Sequence, residues 1–111
     1  MAEPYRPAAL RVMAEYVGGD PVWDSDQDHL GQAELADLGV STSLIQRLRA
    51  WNDRYGATAL TDFEFPTPED ETSWRRQGLD LAYELQNELP DIEISYVEDE
   101  DDRPLRRRRG P

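Results

Sequence analysis

Three aspartates and a histidine stand close together in one segment whose spacing approaches that of a metal site. Asp24, Asp26 and Asp28 follow the Asp-x-Asp-x-Asp spacing that begins an EF-hand calcium loop. The sixth position of that loop should be glycine and is His29, and the twelfth should be a bidentate glutamate and is Leu35. We therefore favour a solvated acidic turn over a calcium site, and expect neither a metal nor another cofactor.

The remaining chemistry-bearing residues do not form a catalytic set. His29 is the single histidine, and neither a nucleophile nor an orienting partner for it is evident in the sequence. The 24 acidic residues give close carboxylate pairs by chance alone, and Gly18-Gly19 belongs to no phosphate-binding motif. Cysteine is absent, which excludes disulfides. The sequence thus predicts that the protein is not an enzyme, with a small hydrolase or metal protein using His29 as a weaker hypothesis.

The candidate residues for binding a partner are Trp23, Asp24, Asp26, Asp28 and Glu34. Tryptophan is frequent at interface hot spots, particularly where polar groups surround it. Trp23 lies between a turn and the acidic segment, so it either closes one end of the core or stands exposed as an anchor. The acidic groups would attract a basic surface.

Charge is divided unevenly along the chain. Residues 1–102 contain all 24 acidic residues and seven of the twelve basic ones, whereas residues 103–111 contain five arginines and no acid. An acidic body repels nucleic acid and anionic membrane and attracts basic partners over about a Debye length. We therefore expect a basic protein partner and no membrane binding.

The arginine tail allows a different partner. Its basic residues are Arg103, Arg106, Arg107, Arg108 and Arg109. A run of arginine can bind nucleic-acid phosphate without a fold. Residues 98–102, however, are five consecutive acids that compete for the tail, and no aromatic residue is interleaved to stack on bases. A tail that neutralises itself and a nucleic-acid contact both remain open, the first slightly favoured.

Two segments have the period-two pattern of half-buried strands. Residues 10–17 place Leu10, Val12, Ala14 and Tyr16 on one face, and residues 92–97 alternate in the same way. Residues 21–23 either form a short strand or anchor a loop, and residues 32–39 suggest a short helical turn that ends at Gly39.

Two segments between these strands have helical spacing. Ser41 or Ser43 can cap a helix that runs to Tyr55, with Gly56 placed to end it. Thr67 and Pro68 begin a second helix, which runs to Leu89. Gly78 lies in its apolar stripe and indicates close approach of a neighbouring element. In the connector, Phe63 and Phe65 are expected to pack on the core.

The element order β–α–α–β predicts an α+β fold: a small sheet of two or three strands with two long amphipathic helices on one face. The second strand is expected to return antiparallel beside the first. We divide the chain into a flexible N-terminus (1–9), a single α+β domain (10–97) and a disordered tail, acidic and then arginine-rich (98–111).

The skeleton resembles a group of small, acidic actinobacterial proteins. The resemblance covers residues 10–97 and is carried by Leu10–Tyr16, Pro21–Trp23, Leu38–Ser41, Leu48, Trp51, Tyr55, Trp74, Gly78, Leu81, Ala82 and Ile94–Tyr96. These are packing positions rather than catalytic signatures. The resemblance implies an immunity or antitoxin-like role.

Two functions from different classes follow. The first is a non-catalytic, acidic protein-interaction module, an immunity or antitoxin-like protein that binds and occludes a basic partner. The alternative is a nucleic-acid-associated accessory protein that uses the C-terminal arginine tail. No apolar run reaches membrane-spanning length and no signal-peptide layout begins the chain, so a cytoplasmic location is expected.

Overall fold

The structure, a computed structural model, describes residues 5–16, 18–24, 26–98 and 104–105. Within these ranges it has four strands and two long helices. In chain order the elements are β1 (Ala9–Val12), β2 (Val22–Asp24), β3 (Gly31–Gln32), a first 3-10 helix (Leu35–Leu38), α1 (Thr42–Ala57), a second 3-10 helix (Thr58–Thr61), α2 (Pro68–Glu88) and β4 (Glu93–Tyr96). The predicted α+β class is confirmed. The sheet has one strand more than the upper end of the prediction.

The sheet has the order β3-β2-β1-β4, with antiparallel pairing except between β1 and β4, which run parallel. The predicted antiparallel return of the last strand is therefore wrong. A period-two pattern tells which side chains face the core but is the same for either strand direction. Parallel neighbours need a long crossover, and the two helices between β1 and β4 provide it.

One face of the sheet carries the core. Leu10, Val12, Ile94 and Tyr96 are at most 2% exposed, whereas Arg11 between them is exposed. The buried stripes of α1 and α2 belong to the same hydrophobic cluster as these strand residues. Both helices therefore cover the face that the alternation predicted to be buried.

Helix α1 begins as predicted and ends later. The Ser41 hydroxyl accepts a hydrogen bond from the Leu44 amide, and Glu88 of α2 accepts from both the amide and the hydroxyl of Ser41, at 2.7 and 2.8 Å. Gly56 does not end the helix, which continues to Ala57. The backbone at Gly56 does not enter the left-handed region that makes glycine a helix terminator, so helical geometry passes through it.

Helix α2 begins at the predicted signal. Thr67 accepts a hydrogen bond from the Asp70 amide at 3.1 Å, and Pro68 occupies the first helical position. Gly78 is buried where α2 meets Trp51 and Tyr96: an added Cβ would lie 2.6 Å from the Trp51 ring and closer still to the Tyr96 hydroxyl. The close approach predicted at this glycine is confirmed.

Two buried tryptophans join the helices. The indole N–H of Trp51 donates to the Trp74 carbonyl at 2.9 Å, and that of Trp74 donates to the Trp51 carbonyl at 3.0 Å. The rings stack with their centroids 4.8 Å apart. Each polar N–H is therefore satisfied inside the core, which burial of tryptophan requires.

Two of the predicted inward aromatics lie at the surface. β1 ends at Val12, so the alternation does not extend to Tyr16, which is 47% exposed. Phe63 is 65% exposed, whereas Phe65 packs against Trp74. At Tyr16 the cause is that side-chain direction alternates only while the backbone stays in a strand. At Phe63 the backbone turns through positive φ, 62°.

Leu105 lies in the core although it belongs to the C-terminal segment. Of residues 98–111, the structure describes 98, 104 and 105. Leu105 is 1% exposed and belongs to the same cluster as the sheet and helix residues. The chain after β4 thus returns to the body of the fold at this residue.

Candidate functional site

The acidic segment that follows β2 is held from within by its first aspartate. Asp24 is 7% exposed, and one of its carboxylate oxygens accepts from the Tyr5 hydroxyl at 2.5 Å. The other accepts from the Asp26 amide at 2.9 Å. The hydrogen bond to Asp24 raises the pKa of Tyr5 to about 12. Asp24 therefore shapes the loop and offers little carboxylate surface to a partner.

The next acidic residue closes a tight turn. Asp26 accepts from the Asp28 amide at 2.9 Å and lies 3.1 Å from the His29 Nδ1. The His29 contact lowers the pKa of Asp26. The His29 ring stacks on Tyr5 with centroids 3.5 Å apart. The turn is therefore fixed to the N-terminal segment at both Asp24 and His29.

A cavity of about 300 Å³ opens beside this turn. Its walls are formed by Tyr5, Pro7, Asp24, His29, Leu30, Gln32, Ala33, Glu34, Asp37 and Leu38. Glu34 and Asp37 are exposed at its edge, and Asp28 is exposed on the turn. Carboxylates at the mouth of this cavity suit a cationic side chain.

The aspartate oxygens of the turn accept hydrogen bonds from groups of the protein itself. The Asp24 oxygens receive Tyr5 and a backbone amide, so they are directed at the protein's own donors. Within the described ranges, no group of three or more histidine, aspartate or glutamate side chains is arranged to hold a metal ion. The Asp-x-Asp-x-Asp spacing here builds a hydrogen-bonded turn.

Trp23 does not line the cavity beside the turn. It precedes Asp24 in β2, and consecutive strand residues point to opposite faces. Trp23 pairs in register with Arg11 of β1 and Gln32 of β3, and its indole N–H donates to the Met13 carbonyl at 3.0 Å. It is half-buried on the sheet face opposite the helices. The fold thus groups Asp24 with Glu34 and His29 and separates Trp23 from them.

The structure does not describe the arginines of the C-terminal tail. Arg103, Arg106, Arg107, Arg108 and Arg109 lie outside the described residues. Helices long and apolar enough to cross a membrane are absent from the described ranges.

The structure also brings together a set of residues that sequence reasoning did not combine. A cavity of about 550 Å³ lies where the end of α1 meets the start of α2. We call it the aromatic cavity; its walls are Tyr16, Tyr55, Thr58, Phe63, Glu64, Phe65, Pro66, Thr67, Pro68, Glu71, Trp74, Arg75 and Glu98. The alternation Phe63-Glu64-Phe65, in a connector between two helices, was the sequence signal for it.

A protein-family model matches most of the chain. The family model CdiI_serr, described as Serratia CdiI immunity protein-like, matches residues 8–99. A search of curated proteins gives no match. The matched range begins just before β1 and ends after β4, so it includes every strand and both helices. It agrees with the immunity-like role that the sequence resemblance implied.

Proposed function

The chain belongs to the Serratia CdiI immunity protein-like family, and from this premise we propose that it binds a toxin protein and neutralises it by covering the toxin's active face. The family match over residues 8–99 is the observation that supports this proposal most directly. The match covers most of the acidic body (1–102) and stops before the arginine tail (103–111). The folded domain, rather than the tail, is therefore the part to which we assign binding.

The charge of the domain favours a basic partner. Residues 1–102 hold all 24 acidic residues against seven basic ones. A toxin that acts on nucleic acid needs a positive surface to bind phosphate, and an acidic protein attracts that same surface. Electrostatic attraction of this kind mainly raises the association rate, and salt weakens it. Occlusion of the surface then needs no catalytic group.

The acidic turn beside β2 is the first region that we assign to this contact. Asp26, Asp28 and Glu34 are exposed there, while Asp24 and Tyr5 hold the turn in shape. A turn that is already ordered loses little conformational entropy when it binds. Trp23, on the outer sheet face, would anchor a partner only if the contact extends around the sheet edge.

The test begins with capture and ends with protection. Full-length protein is used as bait in lysate of its native host with nuclease added, and captured proteins are eluted with increasing salt. Each is then expressed in a sensitive strain with and without this chain. We expect a basic protein that arrests growth alone and not with its partner present. If every captured protein is harmless to the strain, the proposal is wrong.

A charge variant tests the assigned region. Asp28→Lys should slow association with the captured toxin by about tenfold at low salt, since opposite charges steer encounter. Asp80→Lys is the matched control, because Asp80 is an exposed aspartate on α2, outside the acidic turn. Equal slowing by both variants would indicate net charge alone. Nucleic acid captured in place of protein when nuclease is omitted would instead support the tail hypothesis.

A further inference from the structure

One side of the aromatic cavity is a continuous row of ring contacts that runs outward from Trp74 to Tyr16 and Phe63. Tyr16 stacks on Tyr55 with centroids 4.7 Å apart, and Tyr55 stacks on Trp74 at 5.3 Å. Phe65 packs on Trp74 at 5.2 Å, and Phe63 meets the Tyr16 ring edge-on at 5.5 Å. Trp74 is buried and fixed by its bond to α1, so the row extends outward from a rigid base.

The outer rings of this row are exposed to an unusual degree. Phe63 is 65% exposed and Tyr16 is 47% exposed. Phe63 and Asp62 are consecutive non-glycine residues with positive φ, 62° and 55°. A bulky side chain in that region is costly to the backbone. Burial of the Phe63 ring within this chain does not offset that cost, whereas burial against a partner would.

Carboxylates surround the rings. Glu64, Glu71 and Glu98 line the cavity with a single cation, Arg75, which pairs with Glu71 at 2.9 Å. Partial burial raises the pKa of Glu98; Arg75 opposes this rise. The charges of Glu15 and Glu71 also raise the pKa of Glu98. A cation placed here would relieve the repulsion of Glu98 by Glu15 and Glu71 while it contacted the exposed rings of the cavity.

We propose that the aromatic cavity receives an arginine side chain of the toxin, with its guanidinium against the exposed rings of Tyr16 and Phe63 and hydrogen-bonded to Glu64 and Glu98. This inference rests on the proposed function. Arginine fits better than lysine, because its planar group stacks on aromatic rings and forms paired bonds with carboxylates. The body of a second copy fits poorly, because residues 1–102 contain 24 acidic residues against seven basic ones.

The first experiment tests the cavity without a toxin. A tetra-arginine peptide is titrated into the isotopically labelled full-length chain, with tetra-citrulline as the neutral control, and backbone amide shifts are recorded. We expect saturable shifts at Phe63, Glu71 and Arg75 with the arginine peptide alone. Phe63→Ala should weaken this binding at least fivefold. Absence of shifts at the cavity, or equal binding by Phe63→Ala, would overturn the inference.

The chain's own arginines are the competing occupant. A variant with Arg106, Arg107, Arg108 and Arg109 all changed to serine is titrated in parallel. If the peptide binds only this variant, the tail fills the cavity in the wild-type protein and the inference is wrong. Binding of similar strength by both forms supports a partner's arginine. Sedimentation velocity would reveal a dimer. A second copy bound at the aromatic cavity would also overturn the inference.

The second experiment uses the captured toxin. Phe63→Ala and Glu98→Gln should weaken its affinity by at least tenfold and about fivefold. Leu60→Ala is matched to the first, since Leu60 is 90% exposed nearby but does not line the cavity, and Glu69→Gln is matched to the second. Unchanged affinity in both cavity variants would refute the inference and leave the proposed function standing. If no toxin is neutralised but the peptide binds at the cavity, the proposed function fails, and the cavity remains a site that binds arginine.

Discussion

Trp51 and Trp74 exchange hydrogen bonds: each indole N–H donates to the main-chain carbonyl of the other residue, at 2.9 and 3.0 Å. A carbonyl in a helix normally accepts only from the amide one turn later, so here the second lone pair is used as well. The exchange fixes both the spacing of α1 against α2 and their relative position along the axis. Stability should therefore depend on the pair more than on either ring's area alone.

Trp51→Phe and Trp74→Phe should each lower the free energy of unfolding by about 2 kcal/mol, through a lost hydrogen bond and a smaller ring. The double variant should lose less than the sum, with a coupling of at least about 0.5 kcal/mol, since the rings also stack. Urea denaturation of the four proteins gives the cycle. Trp23→Phe is the control; its N–H bond is similar but its ring is only half-buried, so its cost should be smaller. Strict additivity would contradict the coupling.

Gly78→Ala should destabilise the protein although alanine is the better helix former. The helix preference favours alanine by about 1 kcal/mol. The new Cβ would meet the Trp51 ring at 2.6 Å, and overpacking of this kind costs about 1–3 kcal/mol. The difference leaves a net loss of up to about 2 kcal/mol, which urea denaturation measures.

Gly56→Ala provides the matched comparison, because Gly56 is also helical but has no atom within 4 Å of an added Cβ. It should raise stability by up to about 1 kcal/mol. The same sign for both substitutions would contradict the packing explanation.

Tyr5 should ionise at about pH 12, because its hydroxyl donates to Asp24. Because the pKa of Tyr5 is raised in the folded protein, its hydrogen bond to Asp24 stabilises the fold fully at pH values below about 10, the pKa of tyrosine in the unfolded chain. This stabilisation is lost as the pH rises toward 12. The Tyr5 phenol signal, assigned by its absence in Tyr5→Phe, is followed by NMR during alkaline titration. Asp24→Asn should return the midpoint toward the ordinary value. A wild-type midpoint near 10 would refute this.

Asp91 should contribute to stability only above acid pH. The Arg6 guanidinium donates to Asp91, with one bond of 2.9 Å, and lowers the pKa of that carboxyl. A lowered folded pKa gives stability that is present above about 3.9 and lost as the pH falls through the folded value. Asp91→Asn should therefore be less stable than wild type at pH 7 and equally stable near pH 2. Asp80→Asn, on the surface of α2, is the control for removing one exposed carboxylate.

Local signals in the sequence predicted the parts of the fold that depend on neighbouring residues. Thr67 and Pro68 begin α2 as expected, because capping chemistry is complete within one turn. Gly78 indicated close packing, since glycine is unfavourable in a helix without such a reason. The immunity-like resemblance agrees with the family match.

Features that depend on distant parts of the chain could not be predicted in this way. The direction of β4 relative to β1 leaves no mark on side-chain alternation. The burial of Asp24 depends on Tyr5, nineteen residues earlier, and the aromatic cavity depends on Tyr16 meeting Tyr55 and Phe63. Composition supplied the acids and aromatics, while tertiary contacts decided which of them meet.

The parallel pairing of β1 with β4 also sets the order in which the molecule can be completed. β1 leaves the ribosome before both helices, yet its neighbour on one side, β4, is made only after them. Closing so long a loop is entropically costly and slows folding. During synthesis β1 must therefore wait with one edge unpaired. We expect the proposed protection against a toxin to begin only after β4 has left the ribosome and paired with β1.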